Sequence, residues 1–371
     1  MASAPICSQP WLPANPYQRV TGRSVDYSWV SFDDVMNRVS DVLVVGAGPI
    51  GLETAAVLSA EGHDVQVVDA GPLGATISRT FPPHTRFFTS PERLALFGLA
   101  IAPLAQEKLT GEEYLAYLRQ YVATHELKVD TFTEVVAGTV GPVRLVGLTA
   151  SGLHRTYEAR TLVLATGGTD RPRRLGVPGE DLPHVRSHLG DPHRYAGRRV
   201  LIVGGRNSAV ESALRCYRVG AQVHLCHRRA AVHERVKFWL RPEVQSLLDE
   251  GAIVGHLPRE VVEITREHVV LSGGERLEVD DIVLQIGYEQ DGELFDMFGV
   301  PRAGGRGAPV IDPVTMRVSD DVYVVGTATA GTQDRFEIFI ENSHDHPQRV
   351  AAALAGRPAP SPRPARPIPE V

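Results

Sequence analysis

"DVLVVGAGPIGLETAAVLSAEGHDVQVVDAG", residues 41–71, holds a strand, a glycine turn, a helix, a second strand and a closing acid. Its apolar runs VLVV and VQVV are short and uninterrupted, as in strands of a parallel sheet buried on both faces. Gly46, Gly48 and Gly51 form G-x-G-x-x-G between the first strand and the helix. Each glycine has a physical task. Gly46 permits the tight turn, Gly48 lets a pyrophosphate approach the backbone, and Gly51 lets the helix pack closely on the sheet. The helix N-terminus offers free N–H groups and the positive end of its dipole to the phosphates. Asp69 ends the second strand, at the distance where an acid bonds ribose hydroxyls. The bland alternative is a glycine turn in an ordinary strand–helix–strand unit. Strand, helix and acid all fall in place for a dinucleotide cradle instead.

A second stretch, "LIVGGRNSAVESALRCYRVGAQVHLCHRR" at 201–229, repeats the layout with a different ending. Gly204 takes the first glycine position, with Gly205 beside it. Arg206 stands where the second glycine belongs, Asn207 and Ser208 open the helix, and Ala209 replaces the third glycine. An arginine at 206 crowds a pyrophosphate unless its guanidinium turns outward or toward a phosphate. The ending carries the specificity: His227, Arg228 and Arg229 replace the acid. An acid there repels a 2′-phosphate, whereas paired guanidiniums bind one bidentately. The stretch therefore predicts preference for NADPH over NADH, against the alternative of a solvated basic turn. One cradle suits a resident cofactor and the other a visiting NADPH.

Working outward, strands and helices alternate through the chain, which implies α/β architecture with parallel sheets. "LVLATGG" (162–168) closes the first unit, "RRVLIVGG" (198–205) opens another, and "DDIVLQIGY" (280–288) closes that one. "DVYVVGTATAG" (321–331) is a further strand running into a turn. The expectation is two Rossmann-like dinucleotide-binding domains, the NADPH domain at 173–288 inserted into a first domain made of 40–172 and 289–355. Residues 1–39 read as an extension and 356–371 as a Pro-rich, extended tail.

Composition sets the bounds. The 371 residues suffice for two cores, and a net charge of −6 argues against general nucleic-acid binding. No apolar run approaches the ~20 residues that span a bilayer. The N-terminus "MASAPICSQPWLPANPYQ" lacks the form of a secretory leader, so a cytoplasmic, non-membrane protein is expected. Cys7, Cys216 and Cys226 form no C-x-x-C and read as reduced thiols. Cys216 and Cys226 read further as small buried apolar residues.

From about residue 40 to 355 the pattern resembles the thioredoxin reductase-like flavoproteins, which carry two dinucleotide-binding domains. "ATGG" (165–168), "RRLGVPGED" (173–181) and "IGY" (286–288) match that group's strand-end signatures. "FPPHTRFFTSPERLALFG" (81–98), "GGRNSAVESAL" (204–214) and "RFEIFIENSHDHP" (335–347) resemble one branch, the bacillithiol disulfide reductase-like proteins. The resemblance implies FAD in the first domain and NADPH in the second. It also implies reduction of an oxidised low-molecular-weight thiol, and FAD contacts at Pro49, Val135, Ala165, Thr166, Gly167, Gly326 and Thr327. A homo-oligomer is expected as well.

The chain departs from these patterns in three places. Where thioredoxin reductases carry C-x-x-C, Ser187 and Gly190 stand, which the bacillithiol branch shares. Where that branch typically has cysteine inside the first fingerprint, the residue is Ile50. Where related flavoproteins have an aspartate after "VG", the residue is Thr327.

Hydride transfer between stacked rings needs proximity and orientation alone, so no catalytic acid, base or nucleophile is assigned, and the inserted domain need not swing far. A helix beginning near "RFEIFIEN" is expected to aim the backbone N–H groups of Glu337 and Ile338 at the flavin's developing negative charge. The alternative there is a helix with only a packing role. Phe87 and Phe88 are candidates to stack near the flavin, or else to anchor a loop. Thr89 and Ser90 are candidates to bond flavin or substrate. His344 and His346, two apart on a helix, point away from each other, so no metal is expected.

Four functions remain in competition at this level. They are a small-disulfide reductase, a ferredoxin or flavodoxin–NADP reductase serving a small electron-carrier protein, a flavin monooxygenase, and a non-enzymatic redox sensor.

Overall fold

The computed structural model describes residues 37–103, 107–333 and 337–360. Its first large sheet has six strands, in the order Arg317–Ser319, Val322–Val324, Thr161–Leu164, Val42–Val45, Val65–Val68, Lys128–Asp130. All pair in parallel except Arg317–Ser319. The second has five parallel strands, Val185–Arg186, Asp281–Leu284, Arg199–Val203, Gln222–Cys226 and Val254–His256. The fold is thus α/β with two Rossmann-like sheets, and strands of the first come from both sides of the second in sequence.

The uninterrupted apolar runs are explained by what covers each face. On the six-stranded sheet, Val42, Val44, Val65 and Val67 face helices Pro49–Ala60, Gly111–Thr124 and His346–Leu354. Leu43, Val45, Leu162 and Leu164 face a four-stranded sheet through Val143, Leu145 and Tyr157. On the five-stranded sheet, Val200, Ile202, Val223 and Leu225 face helices Asn207–Arg218 and Arg241–Asp249. Leu201, Val203 and Ile282 face a small antiparallel sheet through Val261, Ile264, Val269 and Leu271. Both halves are therefore three layers thick, and neither sheet presents an open face. Asn37–Val39 already pairs in parallel with His154–Ala159 in the four-stranded sheet.

The chain passes between the sheets twice, and the two passages pair with each other. Arg171–Pro172 lies antiparallel to Tyr288–Glu289, with Pro172 opposite Tyr288 and Arg171 opposite Glu289. Among the described residues, no helix is long and apolar enough to cross a membrane.

The helix expected near "RFEIFIEN" is not found over its described residues, 337–342; 335 and 336 lie outside them. Residues 337–339 are neither helix nor strand, with Phe339 extended; Ile340–Asn342 makes one 3-10 turn, and the helix begins only at His346. The cause is side-chain competition for the backbone. Gln333 Oε1 accepts both the Glu337 and the Ile338 amide, at 2.8 and 2.9 Å. Asn342 Oδ1 accepts from Phe339 N at 2.8 Å. Amides held this way are not available as a helix terminus, and Pro347 in the first turn marks where the helix does start.

Candidate functional site

Both glycine turns open onto one cleft of ≈ 2200 Å³. Gly46 has φ +116, and a Cβ there would lie 2.4 Å from the Ala165 carbonyl oxygen. A Cβ on Gly51 would lie 2.0 Å from Gly46 O, so this glycine lets the helix seat against the turn. Gly48 differs, since a Cβ there meets nothing within 4 Å. It caps the helix from the open side, and Pro49 follows in the first turn. Space over Gly48, with no side chain capping the helix, is the geometry that suits a phosphate.

Asp69 stands in the cleft wall with its carboxylate already at work. Oδ2 accepts Ala47 N at 2.6 Å and Oδ1 accepts Gly71 N at 2.7 Å. Burial raises its pKa, and the two N–H donors oppose that rise. The acid thus braces the turn it terminates while retaining lone pairs for a ribose. Val135, Ala165, Thr166, Gly167, Gly326, Thr327 and Ile338 face the same space. Gly51 lies beneath the turn and Glu337 does not reach the cleft, so the expected pair of amide donors at 337 and 338 is not assembled.

Across the cleft stand Gly204, Gly205, Arg206, Asn207, Ser208, His227, Arg228 and Arg229. Gly204 has φ +142, and a Cβ on it would sit 2.3 Å from Gln285 O. The His227 ring lies over Gly205, where a Cβ would come within 2.4 Å of it. Arg206 is the cap residue of helix Asn207–Arg218. Burial lowers the pKa of both His227 and His233, and the neighbouring Arg206 and Arg229 push both the same way, with Arg228 adding to the effect on His227. The potential here suits an anion.

Nucleotides fit these walls on a further ground. Thr166 Oγ1, His227 Nε2, His188 Nε2 and both amide atoms of Gln285 are buried without hydrogen-bond partners, and all four residues line the cleft. Buried polar atoms in that state are completed by water or by a polar ligand, and a nucleotide supplies such groups.

The loop residues divide. Phe87 is buried against Phe81 and Tyr114, with ring centroids 5.2 and 5.0 Å away, as an anchor would be, and it also lines the cleft. Phe88 lies 5.9 Å from Trp239 at the cleft edge. Thr89 and Ser90 do not line the cleft; Thr89 is buried and Ser90 precedes helix Pro91–Leu94.

Ser187 bonds the His188 ring at 2.9 Å, and Gly190 makes a turn at φ +63. Ile50 is mostly buried, packed against Gly326, and lines the cleft beside Pro49. Burial pushes the Cys216 and Cys226 thiols up to about 12, which keeps them inert. Cys7 lies outside the described residues.

Several supporting residues carried no signal of this role in the sequence. His346 Nδ1 accepts from Gly326 N at 3.0 Å. His344 precedes the helix and bridges Glu53 Oε2 and Arg93 O, each at 2.8 Å. Gln290 Nε2 donates to Gly167 O and Ala328 O, both at 2.8 Å. One signal was legible: Lys237 within the apolar "VKFWL" marks a buried cation needing a partner, and that partner is Glu211 at 2.9 Å. Among the described residues, no group of three or more His, Cys, Asp or Glu could hold a metal ion.

A model of the family described as pyridine nucleotide-disulphide oxidoreductase matches residues 43–326. The chain is 31% identical over 320 residues to bacilliredoxin reductase Bdr of Bacillus subtilis, covering 85% of this chain and 97% of that one. It is 32% identical over 300 residues to a ferredoxin–NADP reductase of Ignicoccus hospitalis, covering 78% and 90%. The solved bacillithiol disulfide reductase Bdr from Bacillus cereus superposes with a TM-score of 0.80 at 29% identity, covering 86% and 99%.

Proposed function

Because the chain belongs to the pyridine nucleotide-disulphide oxidoreductase family, we propose that it is an NADPH-dependent FAD enzyme that reduces a small disulfide of the bacillithiol type. The balance is one NADPH, one proton and one disulfide giving NADP⁺ and two thiols. The observation that carries the reading is two unlike cradles on one cleft, one closed by Asp69 and the other by Arg228 and Arg229.

In this reading FAD rests on Gly46, Gly48, Pro49, Gly51 and Asp69, with Val135, Ala165–Gly167, Gly326, Thr327 and Ile338 around it. NADPH rests on Gly204, Gly205, Arg206, Asn207 and Ser208, its 2′-phosphate held by Arg228 and Arg229 beside His227. The flavin, when bound, supplies the hydride acceptor and passes the electron pair on. The first domain comprises 40–172 and 289–355, and 173–288 is the NADPH domain.

No protein dithiol takes part. The sequence holds no C-x-x-C, Cys216 and Cys226 are buried with raised pKa, and position 50 is isoleucine. This same lack of sulfur, with the likeness to a ferredoxin–NADP reductase, supports a second reading in which the acceptor is a small electron-carrier protein.

Anaerobic bleaching of the flavin by NADPH, then reoxidation in separate cuvettes by bacillithiol disulfide, ferredoxin or oxygen, decides between them. Reoxidation by the disulfide supports the first reading. Reoxidation by ferredoxin alone replaces it with the second.

A further inference from the structure

Glu211, on the second-cradle helix, and Lys237, in the segment that follows, form an ion pair at 2.9 Å with both side chains only 5% exposed. Neither keeps to its own half of the molecule. Glu211 Oε2 accepts the Thr85 hydroxyl, and Lys237 Nζ donates to the Arg86 carbonyl at 2.7 Å. Thr85 and Arg86 belong to the loop after helix Ala75–Thr80, on the first-cradle side. The grip extends along that loop. Lys237 Nζ lies 5.4 Å from the centre of the Phe88 ring, and Phe88 packs on Trp239. Lys108 donates to Phe88 O and sits 4.7 Å from the centre of the Trp239 ring. Thr85, Arg86, Phe88, Glu211 and Lys237 all line the cleft between the cradles.

A buried ion pair is a poor way to gain stability, because desolvating two charges offsets most of their attraction. Burial lowers the Lys237 pKa, which is that desolvation cost expressed at one partner. What a pair of this kind does provide is direction. Its remaining proton and lone pair are satisfied only when the 85–88 loop sits in one place.

We propose that Glu211 and Lys237 are positioning residues that clamp the second cradle to the 85–88 loop and so set the distance between the two bound nucleotides. The clamp rests on the oxidoreductase reading above and adds to it that transfer occurs without rotation of the halves. A displacement of about 1 Å between reacting groups slows transfer on the order of 100-fold, so a fixed seam has a kinetic consequence.

Two variants isolate the clamp. Thr85→Val removes one hydroxyl from the seam, and Glu211→Gln with Lys237→Met replaces the pair by an uncharged one of similar volume. Four quantities are measured on the flavin-loaded protein: hydrogen exchange of amides 85–88 and 235–240, melting temperature, NADPH Kd, and the single-turnover rate of flavin bleaching. The expected result is exchange in both segments rising about tenfold or more and bleaching slowing about 10- to 100-fold, while NADPH Kd stays within about threefold. The melting temperature of the double variant is maintained, and Thr85→Ser restores the wild-type rate.

Unchanged exchange and an unchanged bleaching rate in both variants overturn the clamp. Should the double variant fail to fold, the Thr85→Val and Thr85→Ser comparison decides alone. Should the wild type itself resist bleaching by NADPH, the oxidoreductase reading fails. The exchange comparison then still decides whether the pair ties the halves together.

Discussion

The Nδ1 atom of His346 accepts the backbone N–H of Gly326 at 3.0 Å, so the turn at the cleft floor is held from behind by a buried imidazole. That bond requires an unprotonated Nδ1. Burial lowers the ring's pKa to about 4, with Arg349 and His344 acting in the same direction and Asp345 against it.

Acid stability follows with a definite sign. An imidazole whose native pKa lies below its unfolded value binds its proton more readily when unfolded. Its contribution is intact above pH 6.5, declines as pH falls toward about 4, and is constant below that. The loss is roughly 3 kcal/mol. His188, lowered to about 4 mainly by burial, adds in the same window. Denaturant midpoints measured between pH 7 and 4 should fall, and His346→Gln should flatten that fall. His346→Leu should cost about 1–3 kcal/mol at pH 7, since it orphans the Gly326 amide, and progressively less as pH falls toward 4, where the wild type has already lost the contribution.

Arg228→Ala combined with Arg229→Ala should raise the KM for NADPH about 10- to 100-fold and leave the KM for NADH nearly unchanged. This is the loss of charge-assisted bonds to one phosphate. Steady-state kinetics with the two nucleotides gives the ratio, and an equal effect on both refutes the 2′-phosphate assignment.

Gly48→Ala and Gly51→Ala should part company. The added methyl at 48 meets nothing in the protein, so the variant should fold normally and lose flavin, which its Cβ crowds. At 51 the methyl meets Gly46 O at 2.0 Å, so helix and turn must separate and the fold itself should weaken. Circular dichroism melts and the flavin-to-protein absorbance ratio separate the two outcomes.

Ile50→Cys should not create a redox thiol. The side chain is 5% exposed and packed on Gly326, so the variant should lose about 2 kcal/mol from the shortened side chain. Because position 50 lines the cleft, thiol reagents should reach the new cysteine in the flavin-free protein and be blocked by bound flavin, and acceptor turnover per bound flavin should not rise.

The cradles were legible because their signals are local. Gly46 and Gly51 are required by carbonyls a few residues away or on the adjacent strand, and the strands show as unbroken apolar runs. The segment after residue 333 misled for the opposite reason. A helix is expected there to aim amides at the flavin, while Gln333 and Asn342 take the amides a helix would need. Thr89 and Ser90 lie beside the cleft in sequence and outside it in space. The pairing of Glu211 with Thr85 spans 126 positions, and no local pattern announces such a contact.

The ribbon in which Arg171–Pro172 lies beside Tyr288–Glu289 brings the two ends of the intervening stretch together. Facing Cα atoms in such a pair are about 5 Å apart, so removing residues 173–287 leaves two ends that a very short splice can rejoin. If 173–287 is the nucleotide module proposed above, this ribbon is where it would be excised or exchanged, provided the Glu211 and Lys237 contacts to residues 85–88 are replaced as well.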